Sequence, residues 1–116
     1  MMPTRTVFGL IHIATALGLA AQGPAYAQSI DAAAAESLLK VNKCAKCHSV
    51  DKKKDGPSYQ EVAKKYKGKP DAEAKLLKHL TSSPKIKIDG VEEEHKAINT
   101  KNEAEVKNLI KYILAK

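Results

Sequence analysis

Two thiols and an imidazole stand together at Cys44-Ala45-Lys46-Cys47-His48. Thiols three residues apart on an incipient helix turn can each bond one vinyl group of a single porphyrin. The histidine that follows is then held beneath the iron. The spacing is therefore that of c-type haem attachment, with Cys44 and Cys47 as covalent anchors and His48 as proximal ligand. Other chemistries also use cysteine pairs. A short structural disulfide would need only Cys44 and Cys47. A zinc site would need further ligands at knuckle spacing, and the chain has no third cysteine. A thioredoxin-like pair belongs in a βαβ context, and the sequence shows none.

An export signal upstream agrees with the haem reading. Arg5 forms a short basic region, Val7 to Ala21 is an apolar run, and Ala25-Tyr26-Ala27 is a small-x-small cleavage site. The run is shorter than the roughly twenty residues a bilayer span requires. Residues 1–27 are thus expected to be a cleaved secretory signal, with no twin-arginine pair. The mature domain is expected to be residues 28–116, released to the periplasm. Haem attachment would follow export.

Eighty-nine residues without tryptophan make one small domain, marginal on its own apolar core. A buried porphyrin would complete that core. Arg5 is the only arginine, so the domain's positive charge comes from nineteen lysines, and its net charge falls from +7 to +6 once the leader is gone. Nucleic-acid binding would call for arginine forks, a recognition motif and stacking aromatics, and these are missing. A lysine-rich surface suits acidic protein partners better.

The positioning elements read as helices. Ser29 or Asp31 can cap a helix from Ala32 to about Asn42, which leads into the motif. Asp51 to Pro57 is a polar turn segment. Ser58 and Glu61 form a capping box for a helix to about Lys67, stopped by Gly68. A third helix runs from Asp71 to about Thr81, with Ala72, Leu76 and Leu80 on one face. Thr100 and Glu103 suggest a second capping box, ahead of a helix carrying Val106, Leu109, Ile110 and Ile113. Between them, Lys85 to Asn99 has no strong periodicity: Ile86 and Ile88 alternate briefly and Asp89-Gly90 signals a turn. The fold class is all-α, about four helices around one haem, with no convincing strand.

With these residues in place the chain resembles the class I, bacterial-type monohaem cytochromes c. The likeness rests on Cys44, Cys47 and His48 after an N-terminal helix, on Gly56-Pro57 downstream, and on a closing helix bearing Tyr112. It implies crossed terminal helices near the haem. It also implies that the Pro57 carbonyl accepts the His48 Nδ1–H, which orients the ring and raises its basicity. The family's distal ligand is a methionine in a loop before the last helix. Here the only methionines are Met1 and Met2, both in the leader. His95 lies 17 residues before Tyr112, about where that methionine would fall. His95 is thus the expected distal ligand. The alternatives are His79 on the third helix, Lys96 after deprotonation, and an open sixth position.

Bis-histidine ligation would lower the potential relative to histidine–methionine and would leave no site for substrate. The expected function is one-electron transfer between redox proteins, not enzymatic catalysis. A chain joining inner-membrane and outer-membrane multihaem cytochromes is one such setting. Lys43, Lys46, Lys52, Lys53 and Lys54 bracket the motif and would form a collar for acidic partners around the exposed haem edge. The protein is expected to be a soluble monomer. The rival readings are a gas-binding or peroxidatic haem protein and a cytochrome subunit of a larger oxidoreductase.

Overall fold

A computed structural model describes residues 29–116. The expected leader, residues 1–27, and its cleavage point lie outside the described residues. The element order is α1 (Ala32–Val41), a single 3-10 turn (Cys44–Lys46), α2 (Tyr59–Tyr66), α3 (Ala72–Thr81), β1 (Lys85–Ile88), β2 (Val91–Glu94) and α4 (Glu103–Leu114). The four helices agree with the sequence reading, and the fold is all-α apart from one small hairpin.

Each helix start has a local cause. Asp31 accepts from Ala34 N–H at 2.9 Å and caps α1. At α2 both halves of the capping box form: Glu61 N–H donates to Ser58 Oγ at 3.1 Å, and Ser58 N–H donates to Glu61 Oε2 at 2.7 Å. Gly68 follows α2 with a positive φ of 71°. The fourth helix departs from expectation. Its cap is Asn102, which accepts from Ala104 N–H at 3.1 Å, while the Thr100 hydroxyl donates to Glu105 at 2.7 Å. Asparagine caps as well as threonine does, and one more turn-forming residue precedes the helix.

The core lies where α4 packs across α1, α2 and α3. Val106, Leu109 and Ile110 are almost fully buried, and Tyr112 and Ile113 nearly so. Burying a leucine side chain of this kind contributes about 1.5–3 kcal/mol. Ala35 and Tyr59 meet Leu109, Tyr112 and Ile113, and Leu38, Leu39, Val62, Leu80 and Ile98 pack around them. Polar contacts fix the α1–α4 crossing. Asp31 N–H donates to Asn108 Oδ1 and Asn108 Nδ2 donates to the Asp31 carbonyl, both at 2.9 Å. The Tyr112 hydroxyl donates to Glu36 at 2.8 Å. The closing aromatic of the sequence reading is therefore a helix-crossing residue.

The hairpin corrects the expectation that no strand would form. Lys85 pairs with Glu94, Ile86 with Glu93, Lys87 with Glu92 and Ile88 with Val91. Asp89 and Gly90 turn with φ of 50° and 83°, the left-handed pair that a two-residue hairpin demands. Two features hid it in the sequence. Each strand has only four residues, and Val91–Glu94 is exposed throughout, so it carries no alternation of apolar and polar positions. Lys85 Nζ and Glu92 pair diagonally across the strands at 2.7 Å. Among the described residues, no helix is long and apolar enough to cross a membrane.

Candidate functional site

The 3-10 turn places the motif at the end of α1. Lys43 adopts a left-handed φ of 55°. The N–H groups of Cys47 and His48 both return to the Cys44 carbonyl, at 3.2 and 3.0 Å. This tight turn brings Cys44 and His48 to one side. Both line an apolar crevice together with Leu39, Tyr59, Val62, Leu76, His79, Leu80, His95, Leu109, Ile110 and Ile113. Cys47 sits at the rim, its Sγ 4.0 Å from Asp55 Oδ2. Cys44 and Cys47 are not joined to each other in this structure. Burial pushes the Cys44 thiol above its ordinary value, partly offset by its own backbone and by the Lys96 charge.

The ring of His48 is held from three directions. Its Nδ1 lies 2.7 Å from the Pro57 carbonyl, the contact implied by the family resemblance. Tyr59 stacks on it at 5.7 Å between centroids, 22° from parallel. Gly56 supplies the third. A Cβ there would come within 2.5 Å of His48 Cε1, so only glycine lets the backbone lie against the imidazole. The Gly56 N–H also donates to the Cys47 carbonyl at 2.8 Å and closes the loop. In the sequence this glycine is only a turn residue, because a close approach leaves no signal in composition. Burial, with the charges of Cys44 and Tyr112 adding to it, pushes the Tyr59 hydroxyl up to about 12.

Facing this wall is His95, which follows directly on β2. Its N–H donates to the Pro84 carbonyl at 2.8 Å across the base of the hairpin. Beyond it, the Ile98 N–H donates to Leu80 and the Asn99 N–H to Asn42 Oδ1, at 2.8 and 2.7 Å. Asn42 is buried and also donates to the Leu38 carbonyl at 2.8 Å, so one side chain ties the end of α1 to the distal loop. Nothing in the sequence singles out that asparagine. Burial lowers the His95 pKa, with His48 adding and the Lys96 backbone opposing. Lys96 itself is exposed.

His79, an alternative distal ligand in the sequence reading, lies half-buried in the last turn of α3 beside Leu76 and Leu80, as a packing or helix-end histidine would. The structure puts its ring in the crevice, 4.3 Å from the His95 ring and tilted by 55°. Burial lowers its pKa as well, with His95, His48 and Lys65 adding to the effect.

The residues present fit a haem. The crevice is apolar, and burial lowers the pKa of His79 and His95 within it. The His48 and His95 rings lie 6.2 Å apart between centroids, their planes tilted by 53°. A spacing of this size would leave room for one metal ion about 2 Å from a nitrogen of each ring. His95 Nδ1 is buried with no hydrogen-bond partner among the described residues. A nitrogen left so calls for an ion or group beyond the protein's own atoms.

An all-α domain whose Cys-x-x-Cys-His turn borders such a crevice defines the class of c-type haem proteins. The chain belongs to the cytochrome c family, whose model it matches over residues 32–115, and is of the class I monohaem type. Its cofactor is one covalently attached haem c. It is 41% identical over 64 residues to cytochrome c-551 of Pseudomonas aeruginosa, spanning 62% of that protein and 55% of this chain. It is 40% identical over 82 residues to cytochrome c2 of Rhodocyclus tenuis, covering 88% of that protein and 68% of this chain. Among solved structures, the class 1 cytochrome MtoD from Sideroxydans lithotrophicus ES-1 superposes with a TM-score of 0.71 at 57% identity. That match covers 97% of MtoD and 75% of this chain. Cytochrome c552 of Nitrosomonas europaea gives 0.54 at 28% identity, covering 95% of that chain and 68% of this one.

Proposed function

We propose that this protein is a periplasmic one-electron carrier whose haem iron is held between His48 and His95. The observation that carries the proposal is the pair of imidazoles 6.2 Å apart in the crevice, one of them with a buried, unpartnered nitrogen. Cys44 and Cys47 anchor the group covalently, and residues 1–27 are removed on export. The haem supplies the one-electron ferric–ferrous couple.

The protein's residues do the rest. Pro57 accepts the His48 Nδ1–H, which fixes the tautomer and strengthens the ring as a donor. Gly56 and Tyr59 hold that ring in plane. His95 would hold the iron from the distal wall and leave no site for a substrate, and a second imidazole favours ferric iron more than a thioether does. Leu39, Val62, Leu76, Leu109, Ile110 and Ile113 keep water from the buried edge. Lys43, Lys46, Lys52, Lys53 and Lys54 are all exposed around the motif. They steer an acidic redox partner to that face, where electrons enter and leave a monomeric, soluble carrier. A route between inner-membrane and outer-membrane multihaem cytochromes is the setting that a low-potential carrier of this kind suits.

Carbon monoxide tests the carrier against a gas-binding or peroxidatic haem. The purified ferrous protein should keep its spectrum on exposure to the gas, and voltammetry should show one reversible one-electron wave. Rapid formation of a carbonyl complex would overturn the reading.

A further inference from the structure

The crevice holds one imidazole more than an axial pair needs. His79 projects into it from α3, and its ring lies closer to His95 than His95 lies to His48, at 4.3 against 6.2 Å. It has no hydrogen bond among the described residues to hold it in place. The supports of His95 are of a different kind. They are main-chain bonds to either side, from His95 N–H to Pro84 and from Ile98 N–H to Leu80. The second of these fastens the distal loop to the helix that carries His79. Loop and helix therefore keep their relation when the His95 side chain is removed, and the space it leaves adjoins the His79 ring.

We infer that His79 is a reserve axial ligand, placed to bind the iron whenever His95 lets go. The inference rests on the reading of His95 as the distal ligand. In the exchange the coordinate bond from a His95 nitrogen breaks and one from a His79 nitrogen forms. Each is a neutral two-electron donor, so the iron keeps its charge and oxidation state. The His79 ring lies 4.3 Å from the one it would replace, and its side chain can move between staggered wells about 120° apart. The consequence is a haem that stays six-coordinate through distal ligand loss. A carrier with one distal histidine would open to small ligands instead.

Electron paramagnetic resonance of the ferric holoprotein tests this in four forms: wild type, His79→Ala, His95→Ala and the double variant. Wild type and His79→Ala should share one bis-imidazole spectrum. His95→Ala should keep a low-spin bis-imidazole spectrum with shifted g-values, and the double variant should lose it. The ferrous His95→Ala form should bind carbon monoxide about tenfold more weakly than the double variant, if the open state is about a tenth of the population. Should His95→Ala fail to fold, His95→Ser gives the same readout. A high-spin His95→Ala that binds carbon monoxide as tightly as the double variant overturns the reserve ligand and leaves the distal assignment standing. g-values unchanged by His95→Ala would overturn the distal assignment itself, and this inference with it.

Discussion

On one side of the crevice, His48 is held by the Pro57 carbonyl nine residues away in sequence, with Gly56 and Tyr59 beside it. On the other, His95 depends on Pro84 across a hairpin, and its loop on Leu80 and Asn42. The proximal wall is a single continuous stretch from Cys44 to Tyr59. The distal wall is assembled from α1, α3, the hairpin and the loop before α4. A wall made of local contacts can form as soon as its own residues turn, whereas one made of distant contacts exists only in the folded domain. The two also differ in charge: the proximal motif is ringed by exposed lysines, and β2 presents Glu92, Glu93 and Glu94.

The comparison is broken most completely at its covalent anchor. Changing both Cys44 and Cys47 to Ser should abolish thioether attachment, so acid-acetone extracts all the colour and a domain this small loses much of its helical circular dichroism. Wild-type intact mass should equal residues 28–116 plus one haem. Next in size is the charge asymmetry. Reversing Lys52, Lys53 and Lys54 to Glu should slow electron exchange with an acidic partner by about tenfold or more at low salt, with little change in midpoint potential. Reversing Glu92, Glu93 and Glu94 to Lys should not slow it, because that strand lies on the opposite wall.

Two glycines then separate a packed wall from an open one. Gly56→Ala drives a methyl into the His48 ring and should cost about 1–3 kcal/mol in denaturant titrations, with a shifted haem spectrum. Gly90→Ala meets no atom within 4 Å, but its φ of 83° is strained for any side chain, so about 1 kcal/mol is expected with the spectrum unchanged. Smallest is the ion pair on the hairpin. Lys85→Ala exposes only a solvent-facing partner and should cost less than about 1 kcal/mol by the same titration.

The same division decides how much could be read from the sequence. The helices were legible because their apolar spacing and the caps of α1 and α2 are local, and the spacing of Cys44, Cys47 and His48 is local too. Pro57 came through family resemblance, and the His48–Pro57 distance agrees with the role so implied. The proposal of His95 as distal ligand came from the want of a methionine and from its distance to Tyr112. Beyond that the distal side was opaque. The hairpin has strands too short and too exposed to show a period. Asn42, Asn99 and His79 act through contacts that no sequence spacing encodes. Gly56 looked like a turn and is instead a gap kept clear for a ring.

The central claim is that two imidazoles hold the iron, and near-infrared magnetic circular dichroism of the untouched ferric protein tests it most directly. The energy of its porphyrin-to-iron charge-transfer band reports the axial pair. The account predicts one low-spin haem with the band position of bis-imidazole ligation. A band at the histidine–lysine position, or a high-spin spectrum, would contradict it.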